Sequence, residues 1–223
     1  VTLIEALKHL PSLKRLVQVT TPEVYGSTEG WFKESWNFNP STPYAVSRAA
    51  GDMHLRVMHA SQGLPVVFTR AANVYGPGQR LYRVVPRALL SARLRRRMQL
   101  DGGGRSVRSF IHIRDVVRAT YLVAQRGRSG ASYHISTGDV ISIRDLVNRV
   151  CEITGLQISD LVVEGPERPG KDDAYMLDSS LLRTELGWSP RISIDAGLRE
   201  TLAWIDANLN VLATTPDYYE HQE

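Results

Sequence analysis

Cysteine is nearly absent: Cys151 stands alone among 223 residues. An internal disulfide is therefore excluded, as is a metal site built on paired thiolates, and a reducing, cytoplasmic setting is the expectation. Long apolar runs are lacking too. No stretch approaches the roughly 20 apolar residues of a membrane helix, and no signal-peptide pattern opens the chain. The six histidines show no metal-ligand spacing, and there is no His-Glu-x-x-His and no Gly-x-Ser-x-Gly elbow. The glycine cluster Gly102–Gly104 lacks the Gly-Lys-Ser/Thr ending of a phosphate loop and reads as a hairpin turn. Charge is close to balanced, with 27 basic and 23 acidic side chains and a net +4. The dense basic run Arg93, Arg95, Arg96 and Arg97 reads as a solvated helix end, since no nucleic-acid-binding motif accompanies it. The expected partners therefore include no metal, no membrane and no nucleic acid.

What is present is ordinary globular material, 43% hydrophobic and 22% charged. The chain opens on Val1 in the middle of a helical pattern, so the expectation is a piece of a longer protein. Residues 2–10 read as an amphipathic helix broken at Pro11, and 15–20 as a buried strand. Ser41 or Thr42 caps a second helix, with Pro43 in its first turn, that Gly63 closes. A strand at 65–70, a helix at 84–96, a helix at 115–126 and a strand at 132–136 follow. A capped helix ends at Gly155, residues 161–177 look irregular, and helices at 178–187 and 195–208 close the chain. Strands alternating with helices point to an α/β fold with a mainly parallel sheet and a smaller second lobe.

The chemistry-bearing residues cluster around the first strand and the second helix. Thr21 and Glu23 lie directly after strand 15–20, and in open α/β sheets ligands bind beyond the carboxyl ends of the strands. Tyr44 and Arg48 are one helical turn apart and share a face. A permanent cation there stabilises a phenolate, lowering a tyrosine pKa from about 10 toward a usable base. By residue type alone such a pair is usually a surface tyrosine beside a surface arginine.

The segments VTTPEVYGS, NPSTPYAVSRAAGDM, TRAANVYGPGQ, RSFIHIRDVVRA and ERPGKDDAYMLDSSLLRTELGWSP occur in this order. Together they resemble the NAD-dependent epimerase/dehydratase family of extended short-chain dehydrogenase/reductases, and most closely its dTDP-glucose 4,6-dehydratase-like members. The resemblance implies a partial Rossmann-like parallel sheet with a smaller C-terminal α/β substrate lobe. Residues 1–75 would continue the NAD-binding domain and 76–223 would form mainly the substrate lobe, with 110–136 returning to the Rossmann sheet. The Gly-rich NAD fingerprint that the family carries near its N-terminus does not occur in this sequence.

The same resemblance implies roles. Tyr44 would be the base at the sugar C4 hydroxyl, Thr21 would polarise that oxygen, and Glu23 would remove the C5 proton. Tyr44 and Arg48 would meet NAD, while Asn73, Arg108 and Arg168 would hold the diphosphate of a nucleotide-diphosphate sugar. Two positions depart from the pattern. Arg48 stands where the family has lysine, and the two are not interchangeable at a hydrogen-bonding site. Pro22 stands where dTDP-glucose dehydratases have an aspartate that protonates the leaving hydroxyl. The implied activity is a nucleotide-sugar 4,6-dehydratase in a homodimer packed through helices 2–10 and 43–60. A 4-epimerase, a UDP-glucuronate decarboxylase and a non-catalytic nucleotide-sugar-binding homologue remain open beside it.

Overall fold

The computed structural model describes residues 2–7, 9–28, 30–167 and 176–218. In chain order they form α1 (Thr2–Leu7), β1 (Leu16–Thr20), β2 (Trp31–Phe32), α2 (Pro43–Gln62), β3 (Val66–Ala71), β4 (Asn73–Tyr75), α3 (Val84–Arg93), β5 (Met98–Asp101), β6 (Val107–Arg108) and β7 (Phe110–His112). Then come α4 (Ile113–Arg126), β8 (Ser132–Ile135), β9 (Ile141–Ser142), α5 (Ile143–Thr154), α6 (Ile158–Leu161), β10 (Val162–Gly165), β11 (Met176–Leu177), α7 (Ser180–Leu186), α8 (Ile194–Ala207) and α9 (Leu209–Leu212). The chain divides into two compact units. One gathers Val1–Ala72, Asp115–Gly138 and Asp172–Pro190; the other gathers Asn73–Arg114, Asp139–Lys171 and Arg191–Glu223.

The first unit is built on a parallel sheet in the order β1-β3-β8. Leu16 to Thr20 pair in register with Val66 to Arg70, and Phe68 to Ala71 pair with Ser132 to Ile135. The central strand β3 is buried from Val66 to Arg70, as expected of a parallel strand covered on both faces. α2 begins where the Thr42 hydroxyl accepts from Ala45 N at 3.1 Å, with Pro43 at the position that needs no N–H. It ends at Gly63, whose left-handed φ of 70° lets its N–H reach the His59 carbonyl. Between these ends it buries Ala45, Ala49, Asp52, Leu55 and Met58, a stripe of helical period that carries one charge. Leu55 and Met58 join Leu64, Val66 and Phe68 in one apolar cluster.

The second unit has its own core. Val85, Leu89, Leu146, Val150, Leu198, Leu202 and Ile205 from α3, α5 and α8 belong to one buried cluster. Its strands form short pairs: β4 with β7 and β5 with β10 in parallel, β6 with β9 antiparallel. Gly197 in α8 meets the Tyr75 ring so closely that an added Cβ would fall 2.1 Å from the phenolic oxygen. Only a residue without a side chain fits there.

Several expectations need correction. The glycine cluster is not a hairpin turn. Gly102, Gly103 and Gly104 all take positive φ (57°, 65° and 72°) and form a buried 3-10 turn. β5 and β6 therefore separate, one to pair with β10 and the other with β9. The first helix stops at Leu7, and single-turn hydrogen bonds carry the chain on to Leu13. The third ends at Arg93, because Arg95 adopts a left-handed φ of 53°. Its basic run is more than a solvated end: Arg93 grips Asp206 at 2.6 and 2.8 Å, and Arg97 donates to the Ser159 carbonyl at 2.8 Å. The stretch expected to be irregular contains β10 and β11, and the next helix begins at Ser180, whose N–H is taken by Asp178 Oδ1 at 2.7 Å.

Candidate active site

β1 ends at Thr20, and the chain turns at once into the 3-10 turn Pro22–Tyr25. Thr21 caps it: its hydroxyl accepts from Glu23 N at 3.3 Å, and only 8% of the residue is exposed. Gly26 closes the turn with φ 67° and its N–H on the Glu23 carbonyl. A Cβ on Gly26 would lie 2.3 Å from the Asn39 carbonyl oxygen, so this position cannot carry a side chain without moving the turn.

Two contacts bring this turn to α2. Val24 and Tyr25 share an apolar cluster with Ala49. One residue earlier, Arg48 Nη2 donates to the Val19 carbonyl at 2.5 Å. The carboxyl end of β1, the residues Thr21 and Glu23, and the first two turns of α2 are thus one neighbourhood. Tyr44, in the first turn of α2, is 54% exposed. Arg48 is half-buried, and its Nε is buried with no partner among the described residues. Glu23 is half-buried. The two elements thus carry an exposed phenol, a half-buried carboxylate, a cation tied to Val19 and a buried hydroxyl.

Asn73 and Arg108 lie in the second unit and come together there. Asn73 donates both its backbone N–H and its Nδ2 to the Ser109 carbonyl, at 3.0 and 3.1 Å. Arg108, next to Ser109, is 8% exposed, and its Nη1 donates to the Val107 carbonyl at 2.8 Å. Arg168 and Lys171 lie outside the described residues. Of the two tryptophans between the turn and α2, Trp31 is 46% exposed. Trp36 instead packs edge-on against Phe68 at 5.0 Å.

Behind the turn lies a polar centre that the sequence reading missed. Arg70, fully buried on β3, pairs with the equally buried Asp52 of α2 at 2.7 Å and donates to the Ser132 hydroxyl on β8. Its guanidinium faces the rings of Phe38, Tyr25 and Trp36 at 5.1, 5.4 and 5.4 Å. Tyr25 Oη lies 2.9 Å from His134 Nε2. Burial pushes the Tyr25 phenol up. Burial, followed by the charge of Arg70, pushes His134 down to about 3, so the imidazole is neutral. His134 Nδ1 then donates to the Phe32 carbonyl at 3.2 Å, and Nε2 accepts from the tyrosine. The signals for this centre were an arginine within a mostly apolar strand and an aspartate on the buried stripe of α2. Among the described residues no group of three or more His, Cys, Asp or Glu could hold a metal, and no helix is long and apolar enough to cross a membrane.

A family model for GDP-mannose 4,6 dehydratase matches residues 1–201. The dTDP-glucose 4,6-dehydratase of Streptomyces niveus is 38% identical over 197 residues, covering 88% of this chain and 58% of that protein. The Haemophilus influenzae dTDP-glucose 4,6-dehydratase is 33% identical over 203 residues, covering 85% and 60%. Among solved structures, the Streptomyces venezuelae dTDP-glucose 4,6-dehydratase with NAD bound superposes with a TM-score of 0.88 at 34% identity, covering 94% of this chain and 65% of that one. The Bacillus cereus UDP-glucuronic acid 4-epimerase in complex with UDP-glucuronic acid and NAD gives 0.86 at 27%, covering 92% and 65%. These neighbours share this chain's Rossmann-like α/β fold. The chain spans a little under three-fifths to three-fifths of the length of the two curated relatives.

Proposed function

This chain belongs to the GDP-mannose 4,6-dehydratase family of NAD-dependent epimerases and dehydratases, and on that premise we propose that the whole protein is a nucleotide-sugar 4,6-dehydratase, converting an NDP-hexose to an NDP-4-keto-6-deoxyhexose. The observation that carries the reading is Glu23. It stands two residues after Thr21 at the carboxyl end of β1, on a turn packed against the helix of Tyr44 and Arg48. A simple epimerisation at C4 has no proton to remove at C5, whereas dehydration does.

The residues also suit NAD. Arg48 keeps a buried Nε without a partner among the described residues, one turn from the accessible Tyr44. Guanidinium and phenol together offer the donors that ribose hydroxyls take, so Tyr44 and Arg48 would hold the cofactor. NAD, when bound, supplies a reversible acceptor and donor of hydride. Tyr44 takes the proton of the sugar C4 hydroxyl, and Thr21 hydrogen-bonds the same oxygen. The permanent charge of Arg48 favours negative charge on the tyrosine oxygen. Once C4 is a ketone the C5 proton is acidic, and Glu23 removes it. Pro22 has no proton to give, so Glu23 passes the one it has received to the departing C6 hydroxyl, which leaves as water. In the second unit, Asn73 and the forked donors of Arg108 meet the diphosphate, with Arg168 in the same role. A homodimer belongs to the same proposal. Val46, Met53 and Val57 of α2 are 52%, 56% and 62% exposed and give that helix an apolar outer face. So does a cytoplasmic setting, in which Cys151 stays reduced.

The test is incubation of the full-length protein with NAD and, separately, dTDP-glucose, GDP-mannose, UDP-glucose and UDP-glucuronate, read by mass spectrometry. Loss of one water from a hexose substrate is the expected result. Loss of carbon dioxide would instead make it a decarboxylase, and an epimer of unchanged mass an epimerase. No product from any substrate by a protein that binds NAD would leave the proposal without support.

A further inference from the structure

We propose that Arg70 is the positioning residue of this site: one buried guanidinium that holds the turn bearing Thr21 and Glu23 in register with the helix bearing Tyr44 and Arg48. The activity readout of this inference rests on the dehydratase reading; its structural readout does not.

Arg70 reaches toward the reacting groups along two routes. Through Asp52 it holds α2, and Asp52 stands four residues beyond Arg48 and eight beyond Tyr44, on the same helix face. Against its guanidinium lies Tyr25, two residues beyond Glu23, with its hydroxyl fixed by His134. Gln18 Nε2 adds a 3.4 Å contact from β1 to the other Asp52 oxygen, three residues before Thr21. Ser132 anchors the fork to β8. The helix α2, the turn at Tyr25, the stretch of Trp36 and Phe38, and β8 therefore meet one planar group, and β1 joins them through Asp52.

Stability does not account for this arrangement. A fully buried ion pair loses the hydration of both charges, and apolar residues of similar volume commonly fold as well or better. The Nε of Arg70 finds no partner among the described residues, so the site accepts an unsatisfied donor as well. An apolar pair would fill the space but would have no preferred direction. A guanidinium fork held at two nitrogens and faced by three rings fixes how α2 is rotated and how deep the turn sits. Misplacement of a reacting group by about 1 Å costs roughly 100-fold in rate, so a device that fixes both elements bears directly on turnover.

The experiment compares the full-length protein with a double variant, Arg70→Met with Asp52→Leu, and with Arg70→Lys, which keeps the charge and loses the fork. Thermal midpoint, kcat, KM and amide hydrogen exchange of residues 21–26 and 43–48 are measured. The double variant is expected to keep its midpoint within about 3 °C. Its kcat should fall about 100-fold while the KM for the nucleotide sugar stays within about three-fold. Exchange in the two segments should rise about tenfold, with β3 and β8 unchanged. Arg70→Lys should show the same rise in exchange. Wild-type kcat and unchanged exchange in either folded variant would overturn the proposal. So would a kcat loss that merely tracks loss of folded protein. If the wild-type protein turns over no nucleotide sugar, the dehydratase reading fails by itself, and exchange in the two segments still decides the positioning claim.

Discussion

Arg48 and Arg70 sit in one unit on elements that pack together, yet their surroundings are opposite. Arg48 reaches the carboxyl end of β1, half-buried, one helical turn from a tyrosine more than half exposed. Arg70 is sealed from water, with an aspartate, a serine and three aromatic rings around it. Apart from the buried Thr21 hydroxyl, the groups that could do chemistry are accessible, and the groups that could hold them still are not. A cation at the open end can meet a ligand and is screened by solvent. A cation in the sealed centre can meet nothing new, and what it touches is fixed.

The largest expected effect comes from breaking the sealed side alone. Arg70→Ala leaves the Asp52 carboxylate buried without its partner, and a loss of roughly 3–5 kcal/mol in a urea unfolding titration is expected. A loss below about 1 kcal/mol would mean that the centre is wetter than its geometry. Tyr44→Phe should do the reverse. With the side chain accessible, stability should hold within about 0.5 kcal/mol, while kcat drops by roughly 10²- to 10³-fold, or about 3–4 kcal/mol in the barrier. An active Tyr44→Phe enzyme would remove the open end from the chemistry.

The sealed centre also predicts a pH dependence. The folded His134 titrates at about 3 because burial and the Arg70 charge both disfavour its protonated form. The unfolded chain takes up that proton below about 6.5. The contribution is therefore fully present above pH 6.5 and is lost as pH falls toward 3, by roughly 1–2 kcal/mol between pH 7 and pH 5. His134→Gln should flatten this slope in paired urea titrations at those two pH values; an unchanged slope would assign it to other groups. The smallest effect belongs to the surface. Arg93 and Asp206 are bidentate but 32% and 43% exposed, and Arg93→Ala should cost no more than about 1 kcal/mol. A larger loss would show that bidentate geometry outweighs screening there.

Much of the first unit was legible from local chemistry. Thr42, Pro43 and Gly63 mark both ends of α2 by capping rules that need no tertiary information, and the spacing of Tyr44 and Arg48 puts them on one face wherever the helix packs. The run after Leu64 was legible as a strand, but burial was expected of the wrong one: β1 is only partly buried, with Val19 57% exposed, and β3 is the sealed strand. What stayed illegible is non-local. Nothing near Met98 says that its strand will pair with β10, which begins at Val162, and three consecutive left-handed glycines look in sequence like any flexible turn. The pairing of Arg70 with Asp52 was hidden for the same reason: 18 residues separate the partners, and the position of each on a buried face does not say which charge it meets. The destination of Arg48 was hidden too, because a side chain four residues from Tyr44 can equally turn toward a strand carbonyl, and here it reaches Val19.

The most direct test of the account is to run the full-length protein with NAD and dTDP-glucose in D₂O and examine the product by mass spectrometry and NMR. If Glu23 gives up the sugar's own C5 proton with the departing water, it must be recharged from solvent before C5 is protonated again. The account predicts a 4-keto-6-deoxy product, lighter by one water and carrying a single solvent deuterium at C5. Dehydrated product without deuterium at C5 would contradict the role given to Glu23, and a C4 epimer of unchanged mass would contradict dehydration itself.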